Sequence, residues 1–178
     1  SRQTITQAAD SAISAFSADV DGDGDMDALS ASYIDDKIAW YENDGAGSGW
    51  NIHTLTVGGS NVSKVHASDL DGDGDVDVIA DFKGLSWFEN DGSGTSWITR
   101  TVSGNSATFL TTADVDVDGD SDLLASGGAY GFFFTNETIH RSGRFPGQVP
   151  VSTSGDAPQT VKAADLDGDG DMDLVSGE

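Results

Sequence analysis

The chain has 178 residues, with 31 acidic against 8 basic side chains, a formal net charge of −23 and no cysteine. So negative a surface argues against nucleic acid as a partner, and the lack of cysteine excludes disulfides, zinc–thiolate sites and thiol catalysis. No apolar run approaches the ~20 residues of a membrane-spanning helix, so we expect no membrane insertion. With 37% hydrophobic residues the chain can build a core.

The predicted elements, taken in chain order, are short strands. In the first part of the chain they cover residues 13–18, 27–31, 37–42 and 50–57, and in the second part residues 64–68, 77–80, 84–89 and 97–102. Residues 108–113 and 161–164 are similar strands further along. The runs are rich in β-branched, aromatic and small residues, are bounded by Gly, Asn and Asp, and show no sustained 3.6-residue period.

Acidic residues are concentrated in four nine-residue loops, each with aspartate at positions one, three, five, seven and nine. The loops span residues 19–27, 69–77, 114–122 and 165–173. Successive loops begin 50, 45 and 51 residues apart, an interval that indicates a repeat architecture. Each loop joins the first predicted strand of a repeat to the second.

An aromatic motif follows each of the first three acidic loops. Residues 40–45 read Trp-Tyr-Glu-Asn-Asp-Gly, residues 87–92 read Trp-Phe-Glu-Asn-Asp-Gly, and residues 133–136 hold a shortened copy, Phe-Phe-Thr-Asn. We expect Trp40 and Trp87 to lie in the core. Trp50 and Trp97 follow Gly/Ser-rich turns, where they either pack or stack on a sugar ring.

Four-stranded repeats of this length are typical of β-propeller blades, so the sequence predicts an all-β fold of about three and a half blades. The predicted limits are 1–9 for the fourth strand of a preceding blade, 10–58, 59–104 and 105–155 for three full blades, and 156–178 for the first half of a fourth. A closed propeller has about four to eight blades. Further blades therefore come from a longer parent chain or from a second copy, and the end in mid-blade favours the parent chain.

The acidic loops are expected to hold a cation. Each pair of carboxylates ~4 Å apart repels by about 1 kcal/mol in water and about 4 kcal/mol at an effective dielectric near 20. Ca²⁺ accepts 6–8 oxygen ligands at variable geometry and suits such a loop better than Mg²⁺. The EF-hand interpretation fails, because position twelve is Ser30, Ala80, Ala125 or Ser176 where an EF-hand has Glu, and because the flanks are predicted strands.

The acidic loops and the aromatic motif together resemble the FG-GAP/VCBS repeat family, which includes the integrin α-subunit propeller and certain propeller lectins. The resemblance implies that calcium is bound by the side chains at positions one, three, five and nine and by the carbonyl of position seven. About four calcium ions, one per loop, are implied. The implied ligands are Asp19, Asp21, Asp23, Asp25, Asp27, Asp69, Asp71, Asp73, Asp75, Asp77, Asp114, Asp116, Asp118, Asp120, Asp122, Asp165, Asp167, Asp169, Asp171 and Asp173. Loop three departs from the others at Val117, where they have glycine.

The predicted function is a secreted, calcium-stabilised module for extracellular recognition or adhesion, with carbohydrate or a protein as its ligand. We expect it outside the cell or at the cell surface, since sites of this kind fill easily at extracellular calcium concentrations. Two alternatives stay open: a non-catalytic propeller scaffold of a larger polysaccharide-acting enzyme, and a structural, self-assembling surface element. The sequence has no serine-nucleophile elbow, phosphate loop or His-rich zinc motif, so we expect no enzyme activity.

Overall fold

A computed structural model describes residues 3–58, 62–128, 130–137, 145, 149–150, 159–168 and 172–177. In these residues the fold is all-β, as predicted, with four antiparallel sheets and no helix. Consequently, this part of the chain has no helix suited to crossing a membrane. A closed propeller is not seen among the same residues.

Three of the sheets are four-stranded and the last is two-stranded. Sheet 1 has the order β1-β2-β3-β4, with the strands Ala12–Ala18, Asp27–Ser32, Lys37–Asn43 and Trp50–Val57. Sheet 2 has the order β5-β6-β7-β8, with the strands Val65–Ser68, Asp77–Asp81, Leu85–Asn90 and Trp97–Ser103. Sheet 3 has the order β12-β11-β10-β9, with β9 at Phe109–Ala113, β10 at Asp122–Gly127, β11 at Tyr130–Phe134 and β12 at Val149–Pro150. Sheet 4 pairs β13, Thr160–Ala164, with β14, Asp173–Gly177.

The same connection recurs in every sheet, because each acidic loop joins the first strand to the second. In sheet 1 the register pairs Ala18 with Asp27, and in sheet 4 it pairs Ala164 with Asp173. Position nine of the loop is therefore the first residue of the second strand, fixed opposite the last residue of the first strand. This register brings the two ends of the loop together and positions the aspartates described below.

The chain divides into two compact units. The first comprises residues 1–67 and 75–104, and the second comprises residues 68–74 and 105–178. The core of the first unit is built from the central strands β2, β3 and β6 together with β7, where Leu29, Ile38, Trp40, Val78 and Phe88 are almost fully buried. All five are apolar side chains on strands of sheets 1 and 2.

The second unit has its own core. It contains Leu123 and Leu124 of β10, Phe132 and Phe134 of β11, and Val161 of β13. The rings of Phe132 and Phe134 meet edge to face with centroids 5.6 Å apart, an arrangement that adds to the stabilisation from burial. The predicted blade limits stay predictions. Residues 3–9, expected as the fourth strand of a preceding blade, are not in a strand here.

Candidate metal sites in the acidic loops

The acidic loops bring together the aspartates at positions one, three and nine. In the first, third and fourth loops, one carboxylate oxygen from each of these residues lies within 4.8 Å of the other two. These groups are Asp19, Asp21 and Asp27, then Asp114, Asp116 and Asp122, and then Asp165, Asp167 and Asp173. Carboxylate oxygens clustered in this way form the hard donor set that Ca²⁺ prefers.

The second loop crosses the division between the two units, so its halves are described separately. In the first half, Asp69 accepts hydrogen bonds from the backbone N–H groups of Gly72 at 2.8 Å and Gly74 at 3.0 Å, and Asp71 is buried. In the second half, Asp77 is 1% exposed and accepts the N–H of Asn90 at 2.8 Å. The local hydrogen bonds therefore follow those of the other loops.

Position one fixes the turn of the first and third loops. Asp19 Oδ2 accepts the backbone N–H of Gly24 at 3.0 Å, and Asp114 Oδ2 accepts that of Gly119 at the same distance. Gly24 and Gly119, at position six, have φ of +96° and +99°, a backbone region that residues other than glycine rarely adopt. Glycine at this position is thus required by the turn that position one closes.

Position nine ties the loop to two strands. Asp27 Oδ2 accepts the N–H of Val20 at 2.9 Å, and its Oδ1 accepts the N–H of Asn43 on β3 at 2.8 Å. Asp122 repeats this pattern with Val115 at 2.8 Å and Asn136 at 2.7 Å. Each of these carboxylates is almost fully buried, and the two charge-assisted hydrogen bonds hold it in place.

Positions five and seven lie outside the three-carboxylate groups. Asp23 Oδ1 instead accepts the N–H of Asp25 at 2.9 Å, and Asp118 Oδ1 accepts that of Asp120 at 3.0 Å. The Asp25 side chain lies against the next turn of the chain, since a Cβ added to Gly45 would be 2.6 Å from Asp25 Oδ2. Metal binding by the position-five side chain and by the position-seven carbonyl stays a prediction, as it does for Asp73 and Asp75, and Asp169 and Asp171 lie outside the described residues.

The electrostatics of the groups favour a neutral or cation-bound state. Burial raises the pKa of Asp27 above its usual range, and the nearby Asp21 and Asp23 add to this effect, while the two backbone hydrogen bonds oppose it. The pKa of Asp122 is raised mainly by burial and further by Asp116. Burial is also the largest cause that raises the pKa of Asp21 and of Asp116. A divalent cation placed among the carboxylates would offset the cost of holding them ionised.

One buried oxygen fits a bound cation. Among the described residues Asp19 Oδ1 is buried and has no hydrogen-bond partner, although Oδ2 of the same carboxylate accepts the N–H of Gly24. A buried carboxylate oxygen without a partner is costly. Because this carboxylate belongs to the group formed with Asp21 and Asp27, a hard cation bound there would satisfy it, so the residues fit the calcium that the resemblance implies.

An asparagine that the sequence analysis gave no role connects neighbouring repeats. Asn90, the last residue of β7, donates from Nδ2 to the carbonyl of Val76 at 3.0 Å in its own acidic loop and to that of Val20 at 2.8 Å in the preceding loop. Asn136 does the same with the carbonyls of Ser121 and Leu70. Asparagine is the only residue kept in all three copies of the aromatic motif, and this was the signal available in the sequence.

The motif tryptophans are buried, as expected, and support the same region. Trp40 is 1% exposed and donates from Nε1 to the carbonyl of Gly94 in the turn between β7 and β8. A Cβ on Gly94 would lie 2.7 Å from the Trp40 ring and 3.4 Å from the Asp21 Cβ. The turn of the second repeat therefore covers the acidic loop of the first, and only glycine permits this approach. Trp50 and Trp97 are partly buried.

Comparisons with known proteins agree with the repeated acidic loops and with the all-β fold. The model of the FG-GAP-like repeat matches residues 19–80 and 114–176. No curated protein matches the chain significantly. Among solved structures, a lectin from Agrocybe aegerita, described for its specific recognition of non-reducing terminal N-acetylglucosamine, is similar with a TM-score of 0.58 and 21% identity. The match covers 91% of this chain and 45% of the lectin, so the chain spans about half of the lectin's length, and the likeness is one of fold.

Proposed function

This chain belongs to the FG-GAP-like repeat family, and on that premise we propose that it is a calcium-binding β-propeller module that recognises carbohydrate outside the cell. The observation that carries the calcium part is the recurring group of aspartates at positions one, three and nine. In the first loop, Asp19, Asp21 and Asp27 would hold the ion. When bound, calcium supplies the positive charge that these carboxylates lack.

Hydrogen bonds within the chain position the carboxylates that would hold the ion. Asp19 and Asp27 hold the turn and the two strands through backbone amides, and these hydrogen bonds orient the two carboxylates for an ion. Pre-organisation of this kind lowers the entropy cost of binding. The ion's role is structural, since its binding free energy adds to that of folding.

The propeller arrangement is part of the proposal. Its support is the repeated four-stranded sheet with an acidic loop between the first and second strands, and the contacts that Asn90 and Asn136 make with the preceding loop. Further repeats, from a longer parent chain or a second copy, would complete the ring. Carbohydrate as the ligand is supported by the fold likeness to a lectin.

The proposal contains no catalytic step. Glu42 and Glu89, at corresponding repeat positions, are engaged by His53 and Arg100 of the neighbouring strand. The loop carboxylates are engaged by backbone amides. An extracellular or cell-surface location follows from the calcium requirement. No observation favours the enzyme-scaffold or self-assembly alternatives.

Two measurements test this function. Calorimetric titration of the chelator-stripped chain with Ca²⁺ should give saturable binding, and Asp21→Asn should remove about one ion. The control Asp10→Asn changes an exposed aspartate outside the acidic loops and should leave the titration unchanged. Equal titrations for the two variants would overturn the calcium assignment. Carbohydrate recognition is tested by applying the calcium-loaded chain to a glycan array, where failure to bind any glycan would overturn it.

A further inference from the structure

Sheet 3 contains a cavity at the end of the β10–β11 hairpin. Its volume is ≈ 370 Å³, at the lower end of the ~300–1,000 Å³ of small-molecule sites. The lining residues are Asn105, Ser106, Gly127, Gly128, Tyr130 and Phe132. All belong to the second unit, and the hairpin lies at the end of the sheet opposite the acidic loop.

The cavity lies where sheets 2 and 3 differ in which strand of the hairpin carries an aromatic residue. Phe82 and Gly127 hold corresponding positions, five residues after the last aspartate of their loops, and Phe82 is only 9% exposed. On the opposite strand the pattern is reversed, because Gly84 corresponds to Tyr130, and Tyr130 is 48% exposed. In sheet 2 the ring of Phe82 is nearly buried, whereas in sheet 3 the ring of Tyr130 is half-exposed and lines the cavity.

The backbone of sheet 3 requires this arrangement. A Cβ on Gly127 would lie 2.4 Å from the carbonyl oxygen of Ser106, so no larger residue fits there. The N–H of Thr108 donates to the carbonyl of Ser126 at 2.6 Å, and this hydrogen bond holds the same two segments close together. Residues 105 and 106 are therefore held against the end of β10, and the cavity is part of the fold.

From this lining we infer that the cavity binds one neutral pyranose ring. The exposed ring of Tyr130 offers a surface for the apolar face of a sugar, Phe132 closes the apolar floor, and Asn105 and Ser106 supply amide and hydroxyl groups for sugar hydroxyls. The net charge of −23 disfavours uronic and sialic acids. This inference rests on the proposed function, because it locates the carbohydrate site.

A pair of tyrosines provides the test. Tyr33, in the corresponding hairpin of sheet 1, is 49% exposed, close to the value for Tyr130. The calcium-loaded chain is titrated with N-acetylglucosamine, galactose and glucuronic acid, and then compared with Tyr130→Ala, Tyr33→Ala and Asn105→Ala. Tyr130→Ala and Asn105→Ala should each weaken neutral-sugar binding by at least tenfold, and Tyr33→Ala should leave it unchanged. Thermal unfolding of each variant shows that the fold is kept, and Tyr130→Phe, which retains the ring, should keep most of the affinity.

The results of these titrations distinguish a wrong binding site from a wrong function. If the wild type binds a neutral sugar and Tyr130→Ala binds it equally well, the cavity is not the site, while carbohydrate recognition stands. Stronger binding of glucuronic acid than of the neutral sugars overturns the assigned ligand class. If the wild type binds none of the three sugars, this inference is overturned, and the glycan array decides separately whether recognition of other carbohydrates remains.

Discussion

Val117 has a backbone conformation that its counterparts adopt with glycine. Its φ is +61°, and those of Gly22, Gly72 and Gly168 at the same loop position are +72°, +71° and +79°. Val117 is 57% exposed, so its side chain has room. The cost of valine is therefore one of backbone strain, roughly 1–2 kcal/mol for a left-handed conformation.

Replacing Val117 with glycine should stabilise the chain. The relief of strain, about 1–2 kcal/mol, outweighs the extra entropy that glycine gives the unfolded chain, about 0.5–1 kcal/mol, so we expect a net gain of up to about 1.5 kcal/mol in the free energy of unfolding. The reciprocal change, Gly22→Val, should lower it. Both are measured by thermal or urea unfolding in the same calcium concentration. A loss of stability in Val117→Gly would contradict the assigned strain.

At the scale of elements, the acidic loop and the last residue of the third strand act together. Asn90 is 3% exposed, donates to two carbonyls in two successive loops, and accepts the N–H groups of Gly92 and Gly94 through Oδ1. All four interactions depend on one amide side chain. Each buried hydrogen bond contributes about 1 kcal/mol, and more when its loss leaves a buried partner unsatisfied.

Asn90→Ala should therefore lower the free energy of unfolding by about 2–4 kcal/mol. The matched control is Asn51→Ala, because Asn51 is exposed and makes one long contact of 3.4 Å with Glu42. Its effect should stay within about 0.5 kcal/mol. Urea unfolding of both variants gives the comparison, and similar losses in the two would show that the loop-to-loop contact of Asn90 is not stabilising.

The strands could be predicted from sequence because their signals are local. The predicted segments 27–31 and 77–80 are observed as Asp27–Ser32 and Asp77–Asp81, and 50–57 is observed as Trp50–Val57. Alternating small and apolar residues end at Gly, Asn and Asp clusters, and this contrast alone sets the boundaries to within a residue or two. The resemblance to the repeat family implied side-chain ligands at positions one, three, five and nine, and the structure groups the aspartates at positions one, three and nine in the first, third and fourth loops.

The position-five side chains make a hydrogen bond that is local in the sequence, because each accepts the N–H two residues later in the first and third loops, and metal binding by these side chains stays a prediction. Other features depend on contacts between distant segments and gave no local signal. The cavity of sheet 3 depends on the close approach of Gly127 to Ser106, which the sequence cannot reveal.

At the scale of the whole chain, the four acidic loops are unequally covered. The residue at position two is 1% exposed in the first and second loops, Val20 and Leu70, where Asn90 and Asn136 reach its carbonyl. In the fourth loop Leu166 is 65% exposed, and the three clustered aspartates there are exposed as well. A covered loop is more pre-organised, and its lower effective dielectric strengthens attraction for a cation.

We therefore expect calcium sites of different affinity in this chain. Titration against a chromophoric chelator should resolve a tighter class, which includes the first loop, and a weaker class, which includes the fourth. Asp21→Asn should remove an ion from the tighter class, and Asp167→Asn should remove one from the weaker class. Four equivalent sites, or loss of a tight site in Asp167→Asn, would contradict the link between cover and affinity.

The central claim is that calcium in the acidic loops stabilises the fold, and thermal unfolding with calcium or with chelator at equal ionic strength tests it most directly. At a calcium concentration 100-fold above Kd, one site adds about 2.7 kcal/mol, and 1 kcal/mol corresponds to roughly 2–4 °C in a domain of this size. Several filled sites should thus raise Tm by ten degrees or more, and magnesium at the same concentration should do much less. The same Tm in calcium and in chelator would contradict the account.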